Sequence, residues 1–86
     1  PGIAGRRFVG EVGVQDKIKR VKDMYNACAK NFSQYLTDHN MDEYNNRSMK
    51  IESEYGNRAD IVDLLLWFAP QVQTIHDLWE KEKGED

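Results

Sequence analysis

The chain has 86 residues and a mass of 10.0 kDa, which is enough for one domain and too little for two separate cores. Charged residues make up 31% and apolar residues 40%, with a formal net charge of −3, a balance typical of a globular helical chain rather than a disordered one. The longest apolar run, Leu64–Ala69, is too short to span a membrane, and a lone cysteine excludes an internal disulfide. With no targeting segment in the sequence, a cytoplasmic location is expected.

The first thirteen residues differ in composition from the rest of the chain. They contain four of the six glycines, and each glycine disfavours a helix by about 1 kcal/mol. Residues 1–13 are therefore predicted to form a flexible N-terminal arm. An alternative is a strand that adds to another chain, because Phe8, Val12 and Val14 would share one side of an extended segment.

A helical pattern begins at Val14. Apolar side chains follow at alternating spacings of four and three residues, which places them along one face of a helix. This seam consists of Val14, Ile18, Val21, Tyr25, Cys28, Phe32 and Tyr35. It predicts a long first helix, which needs a partner surface of matching length.

A second, shorter helix is predicted after the polar residues 37–40. Asn40 is suited to the N-cap, and Asp42 and Glu43 suit the first turn because the helix dipole favours negative charge there. Its thin apolar stripe is Met41, Tyr44, Ser48, Ile51 and Tyr55. Gly56 is suited to the left-handed position that ends a helix.

The third helix is predicted to start near Asn57 or Asp60, either of which could cap it. Its stripe keeps one register across Pro70, which favours a single kinked helix over two helices. The stripe consists of Ile61, Leu65, Phe68, Val72, Ile75 and Trp79. Residues 84–86 are predicted to be a disordered tail, which leaves residues 14–83 as a single helical domain.

The predicted fold is all-α: a small three-helix bundle or helical hairpin with a long first helix, a short second helix and a Pro-kinked third helix, preceded by the Gly-rich arm. Charge is divided unevenly, since residues 1–36 carry a net charge of +4 and residues 37–86 a net charge of −7. This division favours an antiparallel hairpin of the first helix against later ones, or head-to-tail pairing between copies.

The third helix is apolar around most of its circumference. Val62, Leu66 and Ala69 form one flank of its stripe, and Leu64, Trp67 and Leu78 form the other. Two other helices cannot cover all of this surface, and monomers seldom expose large apolar patches. The sequence therefore predicts a non-enzymatic module that binds itself or another helical protein, with a homodimer favoured. The predicted interface residues are Val62, Leu64, Leu66, Trp67 and Leu78.

A nucleic-acid-associated protein is the first alternative function. Basic residues are concentrated in the N-terminal part of the chain, namely Arg6, Arg7, Lys17, Lys19, Arg20 and Lys22. The chain as a whole is acidic, with a pI near 5.3, and no DNA-binding motif follows this cluster. A solvated helix face therefore explains it more simply.

A magnesium-dependent nucleotide pyrophosphatase is the second alternative. All-α enzymes of this kind hold the ion between paired acidic motifs, and the only partial match here is Asp60 with Asp63, near Glu52 and Glu54. His76 and Glu80 share a helix face, but two ligands do not close a metal site. Cys28 fits a small core side chain. The sequence thus predicts no catalytic residue, cofactor or metal.

Overall fold

The computed structural model describes the backbone of residues 2–85 and the side chains of residues 13–84. It contains three α-helices, α1 (Gly2–Asp38), α2 (Met41–Glu54) and α3 (Ala59–Glu85), which pack against one another. This architecture confirms the predicted all-α, three-helix fold.

The two ends of the chain differ from the expected boundaries. The helix α1 begins at Gly2 rather than at Val14, and α3 continues to Glu85 rather than ending at residue 83. The structure does not describe the side chains of residues 1–12 and 85–86. The flexibility expected of residues 1–13 and the disorder expected of residues 84–86 therefore stay predictions.

The turn between α1 and α2 reverses the chain within two residues. His39 adopts a left-handed conformation, with φ of 53°, and its backbone N–H donates to the Tyr35 carbonyl over 2.7 Å. Asn40 is the N-cap of α2, as predicted, and its Oδ1 accepts from the Glu43 N–H at 3.0 Å. These bonds satisfy backbone groups that would otherwise lack partners at the helix ends.

The turn between α2 and α3 uses two left-handed residues. Gly56 has φ of 80° and Asn57 has φ of 55°, and the Gly56 position confirms the predicted end of the second helix. Asp60 lies inside the first turn of α3 rather than before it, and its Oδ1 accepts from the Ile61 N–H at 2.8 Å. Its negative charge favours this end of the helix dipole.

The turns leave α2 antiparallel to α1, whereas α3 runs parallel to α1. The contacts between α1 and α3 follow the same order along both helices. From the N-terminal to the C-terminal end, the contacting pairs are Arg20 and Asp60, Phe32 and Phe68, and Tyr35 and His76. The expected antiparallel packing of α1 against later helices therefore holds for α2 alone. The expected attraction between opposite charges is present at Arg20 and Asp60, on parallel helices.

Two adjoining clusters form the core. The first contains Met24, Cys28, Ile51, Ile61 and Phe68. The second contains Tyr35, Tyr44 and Val72, against which Ile75 and Trp79 pack. All three helices contribute to both clusters, and the buried stripes of α2 and α3 follow the predicted spacing.

A buried polar contact joins α1 to α2 between these clusters. Asn31 is only 2% exposed, and its Nδ2 donates to the Ser48 Oγ at 3.1 Å and to the Tyr44 carbonyl at 3.3 Å. Arg47 Nε donates to the Asn31 Oδ1, and Arg47 Nη1 lies 3.4 Å from Asp38 Oδ2. Because the Asn31 amide is engaged on both sides, this contact fixes the register between the two helices.

The helix α3 passes through Pro70 without interruption, in agreement with one helix rather than two. The molecule is elongated, with extents of 72 × 18 × 17 Å and a radius of gyration of 18.0 Å. Most of that length comes from α1 and α3, since the parallel offset between them extends the rod at both ends.

Candidate interaction surface

The five predicted interface residues of α3 differ in exposure. Leu66, Trp67 and Leu78 are 63%, 59% and 54% exposed, whereas Val62 and Leu64 are partly buried and pack against the first core cluster. A single copy of the chain therefore leaves three large apolar side chains of α3 in water.

These residues do not form one surface. Leu64 and Trp67 line a groove of about 650 Å³ between α1 and α3. Val62 and Leu66 line a smaller groove of about 190 Å³ between α2 and α3. The two flanks of α3 distinguished in the sequence thus lie on different sides of the molecule, and the five residues cannot all belong to one contact.

The seam of α1 is only partly buried, so α2 and α3 do not provide the surface of matching length that the sequence leads us to expect. Val14, Ile18, Val21 and Tyr25 are 56%, 43%, 47% and 59% exposed. Among the side chains of α1 that the structure describes, from residue 13 onwards, the buried ones are Met24, Cys28, Asn31 and Tyr35.

The position of Arg20 explains why the first part of the seam is uncovered. Arg20 Nη2 donates to the carbonyl of Tyr55, which ends α2, and Arg20 Nε donates to Asp60, in the first turn of α3. The other two helices therefore stop or start beside Arg20, and α1 extends beyond both of them. Val14 and Ile18 lie on this extension.

Most of the exposed apolar residues share one side of the molecule. Tyr25 lines the α1–α3 groove, and the helical repeat places Val14, Ile18, Val21 and Leu36 along the same side of α1. Leu78 shares the side of α3 that carries Trp67. Of the nine large apolar side chains exposed in the described part of the chain, seven lie on this side, here called the α1–α3 face: Val14, Ile18, Val21, Tyr25, Leu36, Trp67 and Leu78.

The groove at the centre of this face is preformed by aromatic packing. Phe68 forms its floor and contacts Phe32 with a ring-centroid distance of 5.9 Å. Trp67 stands edge-on to Phe68, with centroids 5.1 Å apart and an interplanar angle of 89°. Ser33 and Gln71 contribute polar groups at the edge of the groove. A large apolar side chain from another helix fits such a site, with Trp67 and Tyr25 as its walls.

Three of the four residues of the basic cluster whose side chains are described lie next to carboxylates. Arg20 binds Asp60 through two nitrogens, at 2.8 and 3.0 Å, and this contact holds the pKa of the Asp60 carboxyl far below its usual range. Lys17 lies 3.5 Å from the same carboxylate, and Lys19 lies 2.8 Å from Asp23. Lys22 is exposed, and Arg6 and Arg7 lie outside the described side chains. This pairing weakens the case for nucleic-acid binding, because phosphates would compete with carboxylates already in place.

The acidic residues near the α2–α3 turn do not converge. The carboxylate of Asp60 is occupied by Arg20 and the Ile61 N–H. Among residues whose side chains are described, no three histidine, cysteine, aspartate or glutamate side chains are close enough together to hold a metal ion. Asp63, Glu52 and Glu54 therefore lack the arrangement that a two-helix magnesium site would need.

Sequence reasoning missed an aromatic cluster at the end of α1. The Tyr35 hydroxyl lies 3.0 Å from His76 Nδ1, and burial, together with nearby acidic groups, raises the pKa of Tyr35. His39 stacks on Trp79 with a centroid distance of 3.5 Å and an interplanar angle of 8°. The i, i+4 spacing pairs His76 with Glu80, whereas the structure pairs it with Tyr35 on another helix. No sequence spacing indicates a contact between residues of different helices.

The lone cysteine is a core residue. Cys28 is 2% exposed, and burial raises the pKa of its thiol to about 11, so it is protonated and unreactive at neutral pH.

Between residues 2 and 85, none of the helices is apolar over a long enough stretch to cross a bilayer. Comparison of the chain with protein-family models, with curated proteins and with solved structures found no match.

Proposed function

We propose that this protein is a non-enzymatic helical interaction module that forms a homodimer through the α1–α3 face. The observation that carries the proposal is the concentration of seven exposed large apolar side chains on one side of the molecule. Scattered exposed apolar residues are normal on a protein surface, but a contiguous stripe along two helices is typical of an interface.

The size of the face fits an interface between proteins. At the ~200 Å² that a fully exposed residue of this kind presents, seven half-exposed residues offer on the order of 700 Å², against about 800 Å² per partner in a standard interface. Burial of a large apolar side chain contributes roughly 1.5–3 kcal/mol before the cost of association. The face therefore offers enough apolar area for a stable pair.

A second copy is the partner that this surface favours. In a dimer with two-fold symmetry the same face covers itself, so both copies lose their exposed apolar surface at once. Another helical protein with a matching stripe is the alternative partner. The groove between Tyr25 and Trp67 supplies the central aromatic anchors on which such contacts usually depend.

The test compares two neighbouring substitutions on α3. Trp67→Glu places a charge in the centre of the α1–α3 face, whereas Leu66→Glu introduces the same charge at a similarly exposed position on the opposite flank. Sedimentation equilibrium should give a dimer for the unmodified protein and for Leu66→Glu. Trp67→Glu should weaken the dimer by about 100-fold or more, as expected for a central aromatic anchor.

Circular dichroism separates loss of association from loss of fold. Trp67→Glu should keep the helical signal, whereas Phe68→Glu should unfold the chain, because Phe68 is only 8% exposed and belongs to the core. A monomeric mass for the unmodified protein at high concentration would exclude the homodimer. Equal masses for the unmodified protein and the Trp67→Glu variant would place the interface elsewhere.

A further inference from the structure

We infer that the two copies pair antiparallel across the α1–α3 face, with the N-terminal end of α1 in one copy against the C-terminal end of α3 in the other. This inference rests on the proposed function, and it adds the orientation and register of the pair. Three features carry it: the distribution of charge, the symmetry of the apolar face, and the parallel arrangement of α1 and α3.

The first feature is the opposite charge of the two ends of the rod. Residues 2–19, the part of α1 that extends past the α2–α3 turn, carry four basic and two acidic side chains, for a net charge of +2. Residues 77–86 carry two basic and five acidic side chains, for a net charge of −3. Because α1 and α3 run parallel, the basic segment lies at one end of the molecule and the acidic segment at the other.

This charge separation distinguishes the two possible orientations. A parallel pair would place the basic ends together and the acidic ends together, which is unfavourable at both ends. An antiparallel pair places a basic end beside an acidic end twice. Beside the α2–α3 turn the basic charge of α1 is balanced by acidic residues, since Asp60 contacts Arg20 and Lys17 and Glu52, Glu54 and Asp63 lie in the same part of the chain. The excess of positive charge is therefore that of the α1 extension.

The second feature is the extent of the apolar face along α1. Its exposed residues run from Val14 to Leu36, and the midpoint of that stretch is Tyr25. A two-fold axis beside Tyr25 would cover the face in both copies without a leftover apolar segment. In that register the α1 extension of one copy, with Val14 and Ile18, lies against the far end of the partner, where Leu36 and Leu78 are exposed.

The third feature is the shape of the face at this midpoint. The groove opens beside Tyr25 and Trp67, with Ala29 on its wall, so a helix of the partner can approach closely there. The self-complementary contact thus has its deepest point near the proposed axis and its charged groups towards the ends, which is the usual division between the core and the rim of an interface.

Distances between spin labels test the orientation. Each label is attached to a cysteine introduced by Gln15→Cys or by Asn26→Cys. Both positions are exposed and lie outside the apolar face. They are three turns apart, at nearly the same angle around α1. The native Cys28 is 2% exposed and stays unlabelled in the folded protein, and the unmodified chain, treated with the same reagent, measures any background. Pulsed dipolar spectroscopy then gives the distance between the two copies of each label.

An antiparallel pair with its axis near Tyr25 places the two labels at position 26 close together. Along the helix axis, the two labels at position 15 are then about 30 Å apart and those at position 26 about 3 Å apart, given a rise of about 1.5 Å per residue. The measured distance at position 15 should therefore be clearly the longer of the two. Similar distances at both positions would show a parallel pair and overturn the inference while leaving the dimer in place. Absence of dipolar coupling for both labels, together with a monomeric mass, would overturn the proposed function itself.

Discussion

The two halves of α1 carry one continuous apolar seam but have different surroundings. From Met24 to Tyr35 the helix packs against α2 and α3 and supplies buried side chains to both core clusters. From Val14 to Val21 the same spacing continues, yet these side chains are about half exposed. The comparison shows that the apolar spacing of a helix identifies the face that can pack. How much of that face is covered within the chain depends on how far the neighbouring helices extend.

The largest expected effect comes from two tyrosines of the α1 seam that differ in burial. Tyr35 is 0% exposed and Tyr25 is 59% exposed, and both belong to the seam of α1. Tyr35→Ala should lower the free energy of unfolding by about 3–5 kcal/mol, because it leaves a cavity in the second cluster. Tyr25→Ala should lower it by less than about 1 kcal/mol, as expected for an exposed side chain.

Urea unfolding of both tyrosine variants in the Trp67→Glu background measures their free energies of unfolding without a contribution from dimer formation. If Tyr25→Ala costs as much as Tyr35→Ala there, Tyr25 is covered within a single chain, and it does not belong to the exposed α1–α3 face.

A smaller effect is expected from the buried amide that joins α1 to α2. Asn31→Ala removes the partner of the Ser48 hydroxyl, the Tyr44 carbonyl and the Arg47 guanidinium. Because Tyr44 is buried and Ser48 and Arg47 are partly buried, these groups lose a hydrogen-bond partner where water has little access, and the free energy of unfolding should fall by about 1–3 kcal/mol. Gln34→Ala, one turn further along α1 at an exposed position, serves as the control and should change it by less than about 0.5 kcal/mol. Equal effects would mean that the amide contributes no specific contact.

The contact of Arg20 with Asp60, at the boundary between the halves of α1, is predicted to stabilise the fold to a degree that depends on pH. The guanidinium of Arg20 lowers the pKa of Asp60 below its ordinary value of 3.8, so the carboxylate stabilises the fold while it is ionised. In acid the unfolded chain takes up the proton first, and the stabilisation is lost as the pH falls below that ordinary value. The unmodified protein should therefore be more stable than Asp60→Asn at neutral pH, and the difference should shrink below about pH 4.

Thermal unfolding between pH 7 and pH 2 checks this prediction. Asp16→Asn removes an exposed carboxylate from the uncovered half of α1 and is the matched control. A constant difference between the unmodified protein and Asp60→Asn across this range would show that the contact of Arg20 with Asp60 does not contribute to stability.

Much of the fold could be predicted from local patterns. The cap at Asn40, the glycine at position 56 and the stripes of α2 and α3 are local signals, and the structure agrees with each of them. The parallel arrangement of α1 and α3 was not predictable in this way, because it depends on the geometry of two turns. The net charge of each half pointed instead to an antiparallel hairpin.

The candidate surface was predictable only in part for a related reason. Helical periodicity separated the two flanks of α3, but it could not show that Leu66 lies beside α2 and Trp67 beside α1. The sequence indicates that the long seam needs a partner surface, but it could not show that Val14, Ile18 and Val21 are left exposed by α2 and α3. Exposure along α1 depends on where α2 ends, and that is a property of the assembled chain.

The elongated shape of the molecule affects how its behaviour in solution will be read. A compact domain of this length has a radius of gyration of about 12 Å, whereas this one has 18.0 Å. A rod experiences more friction than a sphere of equal volume, so it diffuses slowly and leaves a sizing column early. A single copy would therefore elute like a heavier particle, and a mass derived from its elution volume would be too high.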